Sequence, residues 1–288
     1  MPTEALEPAA RAALGRLIGA PKFELIPLRN VHEQAAFLPP GATVTVTASP
    51  AKGIEATVEL AEALQVEGFR AVPHLSARMI RDRGHLRELL VRLEAAGIER
   101  AFVVGGDADA PGEFRDGLSL LRAMAEAGHV LREIGVPGYP QGHPDIPEER
   151  LLQALADKQP FVQYLTTQLC FDARAIATWI AARRAAGMTL PVHLGLPGVA
   201  ELHKLMLISA RIGVADSRRF LTKNTRLVGR LVRPGGYSPN GLLADLGPVM
   251  ADPAAKIEGL HIYTFNQVET TETWRRRYLA ALGSAVPA

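Results

Sequence analysis

The chain has 288 residues, 48% hydrophobic and 22% charged, with a net charge of +2, a balance that suits a globular protein with a sizeable core. No apolar stretch approaches the roughly 18 uninterrupted residues of a membrane helix, and basic runs such as Arg275 to Arg277 are too short to form a nucleic-acid-binding stripe. The single cysteine, Cys170, excludes an internal disulfide and a cysteine-rich zinc site and points to a reducing, cytoplasmic setting.

The first residues carry Glu4 and Glu7 and lack a basic start followed by a continuous apolar run. They predict a short helical extension over 1–20, not a secretory leader. From 21 to 288 the chain reads as one domain. Strands are predicted at 23–28, 42–47, 70–75, 101–105, 131–136, 161–167, 191–196 and 260–265. "ATVTVT" in the second has the β-branched residues that strands favour. Helix signals lie between them. Leu60, Ala61 and Leu64 precede Gly68; Leu86, Leu89, Leu90 and Leu93 form one stripe before Gly97; Leu118, Leu121 and Met124 precede Gly128. Asp172 stands where an N-cap belongs, before Ile176, Trp179 and Ile180.

Eight alternations with short connections predict a parallel sheet, and eight strands at this length favour a closed (β/α)8 TIM barrel over an open doubly wound sheet. The connection over 198–258 is the longest and is expected to hold two or three extra helices, with "RPGGYSPNG" as a loop inside it. "GGDADAPG" follows a strand but lacks the GxGxxG phosphate-binding spacing.

Barrel chemistry sits at the C-terminal ends of strands, so polar residues there are the candidates. Glu24 interrupts the apolar run "FELIPL". It either faces outward against a cation such as Arg29 or faces the interior, where desolvation disfavours its charge and equips it to donate a proton. Thr47 closes the second strand and His74 the third. Asp107 follows the fourth, either as a helix cap or beside a ligand that Gly105 and Gly106 let approach. Tyr139 and His143 follow the fifth, Gln168 closes the sixth, and Asn266 and Gln267 follow the eighth. His74 and His143 have no third ligand at helical spacing, so no metal is expected. Cys170, between Leu169 and Phe171, reads as an inert core thiol. An aldolase would want a strand-end lysine; Lys52 is the nearest and lies past its strand.

The ordered pieces "FELIP", "VTVTASP", "PHLSARM", "GGDAD", "GYPQGHP", "TTQLCFD" and "IYTFNQ" resemble the methylenetetrahydrofolate reductase family over about residues 23–267. The resemblance implies a (β/α)8 barrel that reduces 5,10-methylenetetrahydrofolate to 5-methyltetrahydrofolate with NADH or NADPH, typically through FAD. It implies that Glu24 is the general acid and that Asp107 contacts the pterin. Gln168, Asp107, Phe171 and Gln267 are implied for the substrate, and Thr47, His74, Tyr139, His143 and Gln153 for the cofactor. Three positions depart from the pattern. Leu28 stands for a proline, Gly105 for an arginine, and Gln267 for the arginine usual after "YTxN". On the helix whose asparagine, arginine and lysine reach the FAD phosphates, this chain has Gln153, Ala156 and Asp157, with Lys158 one place off. The flavin is therefore in question, and direct reduction by nicotinamide is the other route. A folate-binding barrel without reductase activity stays open as a second function, and so does assembly as a homo-oligomer.

Overall fold

The computed structural model describes residues 6–199 and 237–283. Eight parallel strands close into a barrel in sequential order. They are β1 (Lys22–Leu25), β2 (Thr43–Val46), β3 (Arg70–Ser76), β4 (Arg100–Val104), β5 (Glu133–Gly138), β6 (Tyr164–Thr167), β7 (Val192–Pro197) and β8 (Ile257–Tyr263). Around them lie α1 (Pro8–Gly19), α2 (Val31–Ala35), α3 (Gly53–Val66), α4 (Arg83–Ala95), α5 (Gly117–Ala127), α6 (Glu148–Lys158), α7 (Ala173–Ala185), α8 (Asn240–Ala251) and α9 (Val268–Leu282). The fold is the predicted (β/α)8 barrel, and all eight strands fall on predicted segments.

The differences are at the ends and have local causes. β1 stops at Leu25, short of the predicted residue 28, because the Leu28 amide turns back to the Ile26 carbonyl at 2.7 Å. β8 ends at Tyr263, ahead of 265, because Phe265 and Asn266 take φ of 51° and 53°, which no strand accommodates. In α5 the buried face is Gly117, Leu120, Leu121, Ala123 and Met124, so Leu118 is not on the stripe assigned to it. Asp172 caps α7 as expected, its Oδ1 accepting from the amides of Arg174 at 2.9 Å and Ala175 at 3.1 Å. Residues 200–236, most of the long connection, lie outside the described residues. The "RPGGYSPNG" loop is described only from Tyr237, and its last two residues, Asn240 and Gly241, already belong to α8.

Strand side chains alternate between two faces, and here the two faces are chemically different. Phe23, Leu25, Val44, Val46, Val103 and Leu165 belong to the large apolar core between sheet and helices. A separate small cluster of Val72, Phe102 and Tyr164 lies inside the barrel. Around that cluster the buried polar residues Lys22, Thr45, His74, Thr166 and His261 occupy the same alternating phase of their strands. Glycine makes room for the rings. A Cβ on Gly135, opposite Tyr164 in the β5–β6 register, would stand 2.2 Å from the Tyr164 ring. One on Gly259, opposite His193, would stand 2.9 Å from the imidazole.

α1 is tied to the barrel by a buried cation. The Arg275 guanidinium of α9 donates to the carbonyls of Ile18 at 3.1 Å and Gly19 at 3.0 Å. Those carbonyls are unsatisfied at the end of α1. Glu272 takes the remaining face of Arg275 in two bonds of 2.6 and 2.8 Å.

Candidate active site

Glu24 shares the inward phase of β1 with Lys22, while Phe23 and Leu25 point into the helix-facing core. Its Oε2 lies 3.1 Å from His261 Nε2, with side-chain exposure of 14% for the acid and 2% for the imidazole. Arg29 is not its partner. A carboxyl inside the ring, bonded to an imidazole, can exchange a proton with its neighbour; one clamped by guanidinium cannot.

The end of β8 holds the Glu24 backbone in place. The Thr264 hydroxyl donates to the Glu24 carbonyl at 2.5 Å. Asn266 clamps Ile26, two residues on, its Oδ1 accepting from the Ile26 amide and its Nδ2 donating to the Ile26 carbonyl, both at 2.8 Å. Asparagine suits the left-handed φ of 53° at this position. The "YTxN" signature is therefore, in this chain, a brace for the strand that carries the acid.

Electrostatics connect the rest of the mouth. Burial pushes the His74 imidazole down to about 4, against the pull of Glu24, so it is neutral at physiological pH. Burial raises the Tyr263 phenol well above its ordinary value, with Glu24 and then Tyr139 adding to it. Tyr139 is raised to about 12 by burial and then by Asp107. Asp107, Tyr139, Tyr263, Glu24 and His74 thus form a connected set. Gln168 joins through the backbone: its amide donates to the Gly138 carbonyl at 2.7 Å, next to Tyr139. The Tyr263 hydroxyl donates to the Thr167 carbonyl at 3.3 Å, next to Gln168.

Other predicted residues take up varied positions. Thr47 follows β2, its amide bonded to the Leu25 carbonyl at 3.0 Å. His143 sits edge-on to Tyr139, ring centroids 5.6 Å apart, and its Nδ1 accepts from the Asp145 amide. Phe171 packs edge-on against Tyr237 at 5.2 Å. Gln267 is buried at the start of α9, its side-chain nitrogen meeting no acceptor among the described residues. Asp107 caps no helix, since Asp116 caps α5. Gln153 stands apart, exposed on α6 with its amide bonded to Asp157 of its own helix at 2.7 Å. Lys158 turns toward Gly117, where a Cβ would meet its Nζ at 3.6 Å. Burial lowers its amine, partly offset by Asp116.

Cys170 is buried, and its burial pushes the thiol up to about 11, so it is inert. Lys52 donates to the Pro27 carbonyl, engaged on backbone and not poised as a nucleophile. Among the described residues no group of three or more His, Cys, Asp or Glu is placed to hold a metal, and no helix is long and apolar enough to cross a membrane. Sequence reasoning missed His261, Tyr263 and His193. For His261 and Tyr263 the available signal was the phase of "GLHIY", in which Gly259, His261 and Tyr263 alternate with Leu260 and Ile262.

A closed parallel barrel with an acid–imidazole pair inside its wall defines a (β/α)8 barrel whose interior is built around ionisable groups. A sequence model of methylenetetrahydrofolate reductase matches residues 24–215, more than half of the chain. The chain belongs to the methylenetetrahydrofolate reductase family. It is 28% identical over 142 residues to methylenetetrahydrofolate reductase 2 of Saccharomyces cerevisiae, a match covering 46% of this chain and 22% of the yeast protein. A solved structure, described as an uncharacterized protein from Clostridium thermocellum that binds two copies of 5-methyl-5,6,7,8-tetrahydrofolic acid, is similar in fold. Its TM-score is 0.62 at 10% identity, covering 94% of this chain and 98% of that one.

Proposed function

We propose that this chain reduces 5,10-methylenetetrahydrofolate to 5-methyltetrahydrofolate, with NADH or NADPH giving its hydride directly to the folate. The observation that carries this reading is the Glu24 carboxyl, inside the barrel and bonded to His261 at 3.1 Å with no guanidinium on it. Glu24 donates its proton to the folate's bridging nitrogen. The bond from that nitrogen to the one-carbon unit breaks, leaving an iminium on the other nitrogen, and hydride adds to the exposed carbon. Asp107 and Gln168 hold the pterin, with Phe171 and Gln267 beside it. Thr47, Tyr139 and His143 line the groove for the nicotinamide, with neutral His74 at its base. Family membership supports the reaction class, and the Clostridium barrel, of the same fold, binds what would be the product.

The residues of α6 do not suit an FAD diphosphate. Gln153 is committed to Asp157, Asp157 adds negative charge, and Lys158 is turned toward Asp116. No step here passes through a flavin. The test is an assay of the purified protein with methylenetetrahydrofolate and NADH or NADPH. Expected are loss of nicotinamide absorbance, formation of 5-methyltetrahydrofolate and no visible bands near about 370 and 450 nm. Folate binding without nicotinamide oxidation would instead make the chain a folate-binding barrel with no reductase activity.

A further inference from the structure

Around and below Glu24 the barrel interior holds more buried polar atoms than its described neighbours satisfy. Thr45 Oγ1, His74 Nε2, Tyr164 Oη, Thr166 Oγ1, His193 Nδ1 and His261 Nδ1 are buried and meet no hydrogen-bond partner among the described residues. Orphaned buried polar atoms are uncommon, and internal water is the usual way to satisfy them. Tyr164 is the first residue of β6 and His193 the second of β7, at the N-terminal end of the barrel, and His261 lies two residues past Gly259, which stands opposite His193. Lys22, at the N-terminal end of β1, is 2.6 Å from Glu133 and sits 3.5 Å above the Tyr164 ring. His193 stacks on the same ring with centroids 4.5 Å apart. The His193 imidazole is lowered by burial, then by Lys22 and His261. At the floor, Arg100 and Glu133 are about one-third exposed and reach solvent.

We propose that this column, with water joining its orphaned atoms, returns a proton to Glu24 after each turnover, His261 being the last carrier. The inference rests on the reductase reading. Once Glu24 has protonated the bridging nitrogen it is a carboxylate, and bound folate and nicotinamide cover the mouth. His261 passes its Nε2 proton to Glu24 Oε2 while Nδ1 accepts one from the water below. The imidazole ends neutral with its proton on Nδ1, and the Nε2–H form returns by proton exchange between the two nitrogens through the internal water. One proton enters from solvent at the floor per turnover, matching the one consumed with each hydride.

The test compares wild type with His261→Gln and His193→Phe in single- and multiple-turnover reactions in H2O and D2O, with circular dichroism as a fold control. Tyr164→Phe, which keeps the ring and removes one hydroxyl, replaces His193→Phe if that variant does not fold. A first turnover spends the proton that Glu24 donates and draws none from below. The variant below Glu24 is therefore expected to keep the single-turnover rate and lose about tenfold in steady state, with an enlarged solvent isotope effect, and His261→Gln to lose at least as much. Steady-state rates equal to wild type overturn the relay. So do single- and multiple-turnover rates that fall in step, as a purely positioning role would give. A wild type that binds folate without oxidising nicotinamide overturns the reductase reading itself, and the relay with it.

Discussion

The floor and the mouth of the barrel bury ionisable groups in opposite ways. At the floor, Glu133 is met by Lys22 at 2.6 Å and Arg100 at 3.1 Å. Burial alone would raise its carboxyl, but the two cations outweigh burial and hold it below the ordinary range. Burial drags the Lys22 amine down to about 8 despite Glu133. At the mouth, Glu24 has one imidazole, and the nearby polar atoms of His74 and His261 are left open. A paired set costs less to bury than a charge left alone. An underpaired set is tolerated where chemistry requires it. The same wall thus carries a paired end and an underpaired one.

The largest expected effect tests that division at the acid. Glu24→Gln should lower steady-state reductase turnover by about a thousandfold while leaving the urea midpoint near wild type; full turnover would remove the assignment. His74 gives the next effect, in stability. Its folded pKa of about 4 lies below the 6.5 of the unfolded chain. The unfolded chain therefore binds the extra proton between these values. The folded state is fully favoured above pH 6.5 and loses about 1.4 kcal/mol per pH unit from this group on acidification toward 4. His74→Phe should remove that part of the slope in denaturation measured across the window.

Asn266→Ala takes away both bonds to Ile26 and leaves alanine at a positive φ. It should cost about 2 kcal/mol of unfolding free energy and lower turnover as well, because the strand under Glu24 loosens. A stability loss with unchanged turnover would separate the brace from the acid. The smallest effect is at the floor. Lys22→Met should change stability at pH 7 by no more than about 1 kcal/mol, because Glu133 keeps Arg100 and a buried ammonium is itself costly. In wild type, stability should rise between pH 8 and 10.5, where the unfolded chain holds a proton on Lys22 that the folded chain has released. The methionine variant should lack that rise. A large loss at pH 7 would show that the floor depends on this pair more than its geometry suggests.

Much of this was legible in the chain. The strands, the Asp172 cap and the candidates Glu24, Asp107, Tyr139 and Gln168 follow from residue type and position. His261 was legible only as an inner-wall position, through the phase of "GLHIY", and nothing local names its partner. It meets Glu24 across 237 positions of sequence. Asn266 and Gln267 stand side by side after β8, and nothing in their order says which one braces β1. The left-handed backbone at 266 decides it, by aiming the Asn266 amide at Ile26. Gln153 drew attention by alignment, yet the rotation of α6 leaves it on solvent beside Asp157.

The sequence by itself determined the alternation of strand and helix and, through the two-residue period within each strand, the chemistry of the barrel's inner wall. Both are local properties, set by side chains a few positions apart. Tertiary structure alone decided which inner-wall residues touch. That depends on the register with which β8 closes against β1, where Lys22 stands opposite His261 and Glu24 opposite Tyr263. The register emerges only when all eight strands close the ring together, so the pairing of acid with imidazole belongs to the barrel and to no single segment.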